Sequence, residues 1–119
     1  MLKVDSFKFG AIVIDGKKYG RDVVLFPDGT VHERKHGFLR FGSHNIKKEE
    51  VNDLIEVSPD TVIIGIGVWS RAKLASDAEL ALKEAKVELI ALPSKEAVQR
   101  LNELSGEGKR VAALIHITC

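Results

Sequence analysis

The stretch with the most chemistry to offer is Gly65-Ile66-Gly67-Val68-Trp69-Ser70-Arg71. A Gly-x-Gly turn at the end of an apolar run can bring backbone N–H groups and a helix dipole to a phosphate. The dinucleotide fingerprint needs a third glycine, but position 70 is Ser70, and the next helix signal comes only at Ser76. The Gly-Lys pair of a P-loop is absent as well. Two readings remain: a tight turn leaving a strand, or a loop that holds a small anion. Trp69 and Arg71 are residue types that concentrate interface energy, and Arg71 offers a planar fork to a carboxylate or phosphate. The alternative for Trp69 is a side chain folded down over the core. Ser70 has neither elbow glycines nor a nearby base, so no nucleophile is assigned there.

Three histidines, His32, His36 and His44, lie close in sequence, and the spacing of the first two would suit a metal on a helix face. Gly37 and Gly42 argue for a strand end and a loop instead, so no metal site is expected. Arg34, Lys35, Phe38, Arg40 and Phe41 fall in the same stretch. Basic residues among aromatics can grip single-stranded nucleic acid. The local charge is too small for that, and a solvated or partner-binding hairpin is expected. His116 alternates with Ala112 and Leu114 on the last apolar run, as a satisfied core histidine would, and nothing orients it towards Cys119 as a catalytic pair. Glu79 with Lys83 and Glu96 with Arg100 have the i, i+4 spacing of solvated ion pairs. No catalytic residue, metal or cofactor is assigned.

The elements that must position these residues change character near Gly42. Ala11–Ile14, Val23–Phe26 and Thr30–Glu33 read as short strands. Asp15-Gly16 is a type I′ hairpin signal, and Pro27-Asp28-Gly29 a second turn. Beyond Lys47 the period becomes helical: Val51, Leu54 and Ile55 share a face, Glu49 and Glu50 suit the positive end, and Pro59 stops the helix by Ser58. Thr61–Ile64 and Val111–Ile117 are nearly unbroken apolar runs, as buried parallel strands require. Ser76 with Glu79 has capping-box spacing, opening a helix with Ala78, Ala81, Leu82 and Ala85 inward. Val87–Leu92 is the next strand. Ser94 caps a last helix with Ala97, Val98, Leu101 and Leu104 inward, closed by Gly106 and Gly108. The pattern predicts an α/β fold of three layers around a mixed central sheet. An antiparallel β meander occupies the N-terminal half and a βαβαβ run the C-terminal half. Val62, Ile64, Leu89 and Val111 are expected among the most buried residues, with the last strand paired on both sides.

Composition sets the class. The 119 residues are 45% hydrophobic and 29% charged with a net charge of +1, which suits one globular domain over residues 1–119 and gives no electrostatic case for nucleic acid. A single cysteine, Cys119, cannot build a disulfide framework. Met1–Asp5 lacks the apolar core of a signal peptide, and no apolar run reaches a membrane-spanning length. A cytoplasmic protein without membrane insertion is expected.

Taken in order, several motifs form a set: Phe7–Ile14 with Asp15-Gly16, Val23-Val24 with Pro27-Asp28-Gly29, Gly65-x-Gly67, Leu92-Pro93, and Asn102-x-Leu104 followed by Glu107–Leu114. Over nearly its whole length the chain resembles a family of small α/β proteins of largely uncharacterised activity. One branch includes assembly factor three of respiratory complex I, and another is the adipogenesis-associated domain protein. His44 ahead of Ile46 matches the family's histidine before an apolar helix start. Ile66 departs from the smaller polar residue usual inside its Gly-x-Gly. The resemblance implies the same three-layer fold and transfers no catalytic residue. No transit peptide is evident, so a mitochondrial role is not carried over.

Two functions follow. The first is a non-catalytic binding or assembly module acting on a protein partner. The second is a binder of a small molecule or anion, or an enzyme, using the Gly65–Arg71 loop. The candidate residues are Gly65, Gly67, Trp69, Ser70, Arg71 and His44. A deep pocket behind Gly65–Gly67 favours the second function, and an apolar patch around Trp69 the first.

Overall fold

The computed structural model of the chain describes residues 3–34 and 45–119. Strands β1 (Val4–Lys8), β2 (Ala11–Ile14) and β3 (Lys17–Tyr19) form an antiparallel meander. Ile14 pairs directly with Lys17, and Asp15 and Gly16 between them have φ of 48° and 82°, the two left-handed residues a type I′ turn needs. Strands β4 (Val23–Leu25) and β5 (Val31–Glu33) follow, joined through Pro27-Asp28-Gly29. That turn is closed by the Phe26 N–H on the Thr30 carbonyl at 2.9 Å.

The central sheet adds β7 (Thr61–Ile66), β9 (Glu88–Leu92) and β10 (Val111–His116) in the order β5-β4-β10-β7-β9. Strand β10 runs parallel to β7 and antiparallel to β4, so it is paired on both sides as expected. Every residue of β10 is buried. Its nearly unbroken apolar run is the consequence of layers on both faces.

Side-chain alternation divides the core in two. On one face Val62, Ile64, Ala112 and Leu114 meet helices α1 (Lys48–Ile55) and α2 (Ser76–Glu84) through Val51, Leu54, Ala78 and Leu82. On the other face Val23, Leu25, Ile63, Ala113 and Ile115 meet helix α3 (Ser94–Gly106) and the meander through Ala97, Leu101, Ile12 and Ile14. The connection from β7 to β9 thus runs over one face and that from β9 to β10 over the other, in opposite directions across the sheet. Both crossovers therefore share one hand. Neighbours β7 and β9 send their connections to opposite faces, so their carboxyl ends form the switch point where such sheets hold functional loops.

Several expectations need correction. Val62, Ile64 and Val111 are buried, but Leu89 is half-buried because β9 is an edge strand. Ser76 does not form a capping box: α2 is capped by Ala75 without a side-chain bond, and Ala85 is exposed past the helix end. Ser94 is the first helical residue of α3, not its cap, which is Pro93. Arg100 pairs with Glu103 at 3.4 Å rather than with Glu96. The end of α3 is as the glycines indicated. Gly108 takes φ 81°, its N–H bonds the Ser105 carbonyl at 3.0 Å, and the Lys109 N–H bonds the Leu104 carbonyl at 3.1 Å. Among the described residues no helix is long and apolar enough to cross a membrane.

Candidate functional site

The switch point is filled by the chain itself. The Ser94 hydroxyl is fully buried there. It accepts the Gly67 N–H at 2.9 Å and donates to the His116 carbonyl, while the Ser94 N–H bonds the Gly67 carbonyl at 3.0 Å. One hydroxyl therefore ties the ends of β7 and β10 to the start of α3. The residues after β10 lie against the loop. Val68 N–H donates to the Thr118 carbonyl at 2.7 Å and Arg71 N–H to the Cys119 carbonyl at 2.9 Å.

This contact explains both glycines. A Cβ on Gly65 would stand 2.9 Å from Ser94 Oγ, and one on Gly67 would stand 2.3 Å from the Cys119 carbonyl oxygen. Gly67 also has φ 103°, which side chains rarely adopt. The Gly-x-Gly makes room for a serine and a tail. The N–H groups of Gly67, Val68 and Arg71, which an anion would use, are already engaged by Ser94, Thr118 and Cys119.

Side chains on the outer surface of the loop are open. Trp69 is 64% exposed and does not plug the core. Its ring lies 5.4 Å, centroid to centroid, from that of Phe9, itself 51% exposed at the β1–β2 turn. The Gly10 N–H holds that turn to the Ile117 carbonyl at 2.7 Å. Arg71 and Ser70 are exposed, and Ser70 has a left-handed φ of 56°. Between the loop and α2 the chain forms β8 (Lys73–Leu74), which pairs with β6 (Asn45–Ile46). This detour accounts for the long gap between the glycines and Ser76.

Beneath the tail lies a buried polar junction. Asp22, just before β4, places Oδ2 2.7 Å from His116 Nδ1 and 2.9 Å from Arg34 Nη1, and its Oδ1 accepts the Ile117 N–H at 2.9 Å. Arg34 also bonds both carboxylate oxygens of Glu50 and, at 2.8 Å, the Asn45 carbonyl. Burial pushes the Asp22 carboxyl up, but the hydrogen bond and charge of His116, the Ile117 N–H and Arg34 outweigh it, leaving Asp22 below the ordinary carboxylate range. Burial likewise opposes the charge on Arg34, and Glu50 and Asp22 more than restore it. Glu50, expected only to suit a helix dipole, is a buried ion-pair partner that also accepts the Lys47 N–H at 3.1 Å.

The structure thus gathers Gly65, Gly67, Trp69, Ser70 and Arg71 in one loop at the strand ends. His44, with His36, lies outside the described residues. His32 is exposed on β5 with its ring against the edge of Phe26, 5.7 Å between centroids. A cavity of about 380 Å³ opens elsewhere, between β4–β5 and α1, with Val24, Phe26 and Val57 among its lining residues and no member of the Gly65–Arg71 loop. Sequence reasoning did not single out Phe9, Asp22 or Thr118, and it gave Arg34, Glu50 and Ser94 other roles. Asp22 and His116 stand 94 residues apart, and no local pattern joins them.

The fold has close counterparts of known structure. The conserved hypothetical protein PH1505 from Pyrococcus horikoshii OT3 is 31% identical, with a TM-score of 0.87 over 98% of this chain and 99% of that one. A protein named MT938 is 33% identical, with a TM-score of 0.84 over the full length of both. At 20% identity, an outer membrane protein from Bartonella henselae shares the fold with a TM-score of 0.81, covering 99% of this chain and 96% of that one. The sequence between residues 4 and 116 matches the model of a family described as proteins of unknown function, DUF498/DUF598, and the chain belongs to that family.

Proposed function

We propose that the chain is a cytoplasmic binding module that engages another protein through Phe9, Trp69 and Arg71. One observation carries this reading: two large aromatic rings lie against each other in the open, tilted by 41°, on turns whose backbones are fixed to the tail. Exposed aromatics on a rigid support present apolar area with little ordering cost on binding. Arg71 beside them suits a partner whose apolar pocket is edged by a carboxylate. The test is affinity purification of the tagged protein from its native cells, with mass spectrometry of bound proteins and metabolites. A protein retained by the parent and lost with the Trp69→Ala, Arg71→Ala double change supports the module. Equal retention by parent and variant removes it.

A second reading, a small-molecule site with chemistry of its own, is favoured by a different observation. His116 Nε2 faces the Thr118 hydroxyl at 3.2 Å beside this same loop.

A further inference from the structure

The tail after β10 carries an arrangement that partner binding does not use. Asp22 Oδ2, His116 Nδ1, His116 Nε2 and Thr118 Oγ1 follow one another in a chain of contacts at 2.7 and 3.2 Å. Asp22 is fixed by the Ile117 N–H and Arg34, both at 2.9 Å. An ionised Asp22 accepts a hydrogen bond from Nδ1–H, and in that tautomer Nε2 carries the lone pair that faces the Thr118 hydroxyl. Carboxylate, imidazole and hydroxyl stand in the order that activates a hydroxyl as a nucleophile.

One further observation gives this order a use. His116 and Ile117 are buried, whereas Thr118 is half-buried and reachable. We propose that Thr118, His116 and Asp22 form an acyl-transfer site for carboxylic esters. This rests on the second reading above and is independent of the protein-partner surface.

Thr118 Oγ attacks the ester carbonyl carbon, and its proton passes to His116 Nε2. The tetrahedral adduct expels the alcohol oxygen, which takes that proton and leaves as the free alcohol. A water then attacks the acyl–Thr118 ester while Nε2 takes its proton. Collapse releases the carboxylic acid and returns the proton to Thr118 Oγ. Asp22 positions the imidazole and touches no reacting atom. The Gly67, Val68 and Arg71 N–H groups are already bonded, so they do not stabilise the developing oxyanion. Turnover is therefore slow and confined to esters with good leaving groups.

The test uses p-nitrophenyl acetate and the full chain in a Cys119→Ala background, so that the thiol contributes nothing. Peptide mapping should place one acetyl group on Thr118. Thr118→Val should lower nitrophenol release by on the order of 10²-fold with an unchanged melting curve. Thr118→Ser should retain acetylation. Asp22→Asn should move the pH profile of acylation, which a purely structural role would not do. Acetyl groups confined to lysines or the N-terminus overturn the proposal. So does a folded Thr118→Val variant as fast as its parent. Should Thr118→Val not fold, the mapped position in the parent and in Thr118→Ser decides. Loss of esterase activity with intact partner retention, or the reverse, separates this site from the partner surface.

Discussion

The buried junction of Asp22, Arg34, Glu50 and His116 and the exposed loop from Gly65 to Arg71 touch the same C-terminal tail from opposite sides. In the junction, side chains are fixed, with Arg34 held between two carboxylates out of water. In the loop, the backbone is fixed and the side chains are left open. A buried charge network is costly to form and more costly to break, because each remaining partner is stranded in a low dielectric. An exposed aromatic adds little to folding and much to contact with another molecule. The same molecule therefore separates stability from recognition over a few ångströms, with Ser94 and the tail as the divider.

The largest expected effect lies in the junction. Arg34→Ala leaves Glu50 and Asp22 without their buried cation and should cost about 3–5 kcal/mol in urea unfolding. A loss under about 1 kcal/mol would mean that apolar packing alone holds this corner, and the contrast with the loop would fall. Ser94→Ala comes next. It strands the buried Gly67 N–H and removes a donor from the His116 carbonyl, with an expected loss of about 1–3 kcal/mol. Because Ser94 joins three elements, faster amide exchange should follow at Gly67 and Val68.

A pH prediction sharpens the same side of the comparison. The folded-state value of Asp22 is depressed, so its contribution to stability is fully present above the unfolded aspartate value of about 3.9 and is lost as pH falls through the lower folded value. Stability contributed by Asp22 should be flat from neutrality to about pH 5 and decline below about pH 4. Asp22→Asn should flatten that acid decline in denaturation curves recorded at successive pH values. An unchanged acid limb would show that other carboxylates carry it.

The division between the regions also explains what could be read from the sequence. Periodicity located the strands and helices, because burial on one or both faces writes itself into neighbouring residues. Asp15-Gly16, Pro27-Asp28-Gly29 and Gly108 announced their turns because left-handed backbone favours particular residue types. The Gly65–Arg71 loop stood out for the same reason. Ser94 was seen as a helix start, yet its bonds to Gly67 and His116 depend on three strand ends meeting. The junction was illegible: Asp22, Arg34, Glu50 and His116 come from four separate segments, and each looked locally like a turn, surface or core residue. The edge position of β9, which leaves Leu89 half-buried, is likewise set by topology rather than by its own apolar pattern.

The smallest stability effect belongs to the loop. Trp69 is 64% exposed and its ring neighbour, Phe9, is itself open, so Trp69→Ala removes little buried area. The loop backbone does not depend on the indole, since Val68 and Arg71 are held by tail carbonyls. Trp69→Ala should therefore change unfolding free energy by about 0.5 kcal/mol or less, as surface substitutions do. The backbone amide spectrum should stay the same outside the Phe9–Gly10 turn and the loop. Against that small loss, partner retention should fall sharply, because truncating a central aromatic anchor commonly costs more than 2 kcal/mol of binding. A loss of about 3–5 kcal/mol in folding would instead match a buried tryptophan. The loop would then belong with the junction as a structural element, and the recognition surface would have to be sought on another part of the molecule.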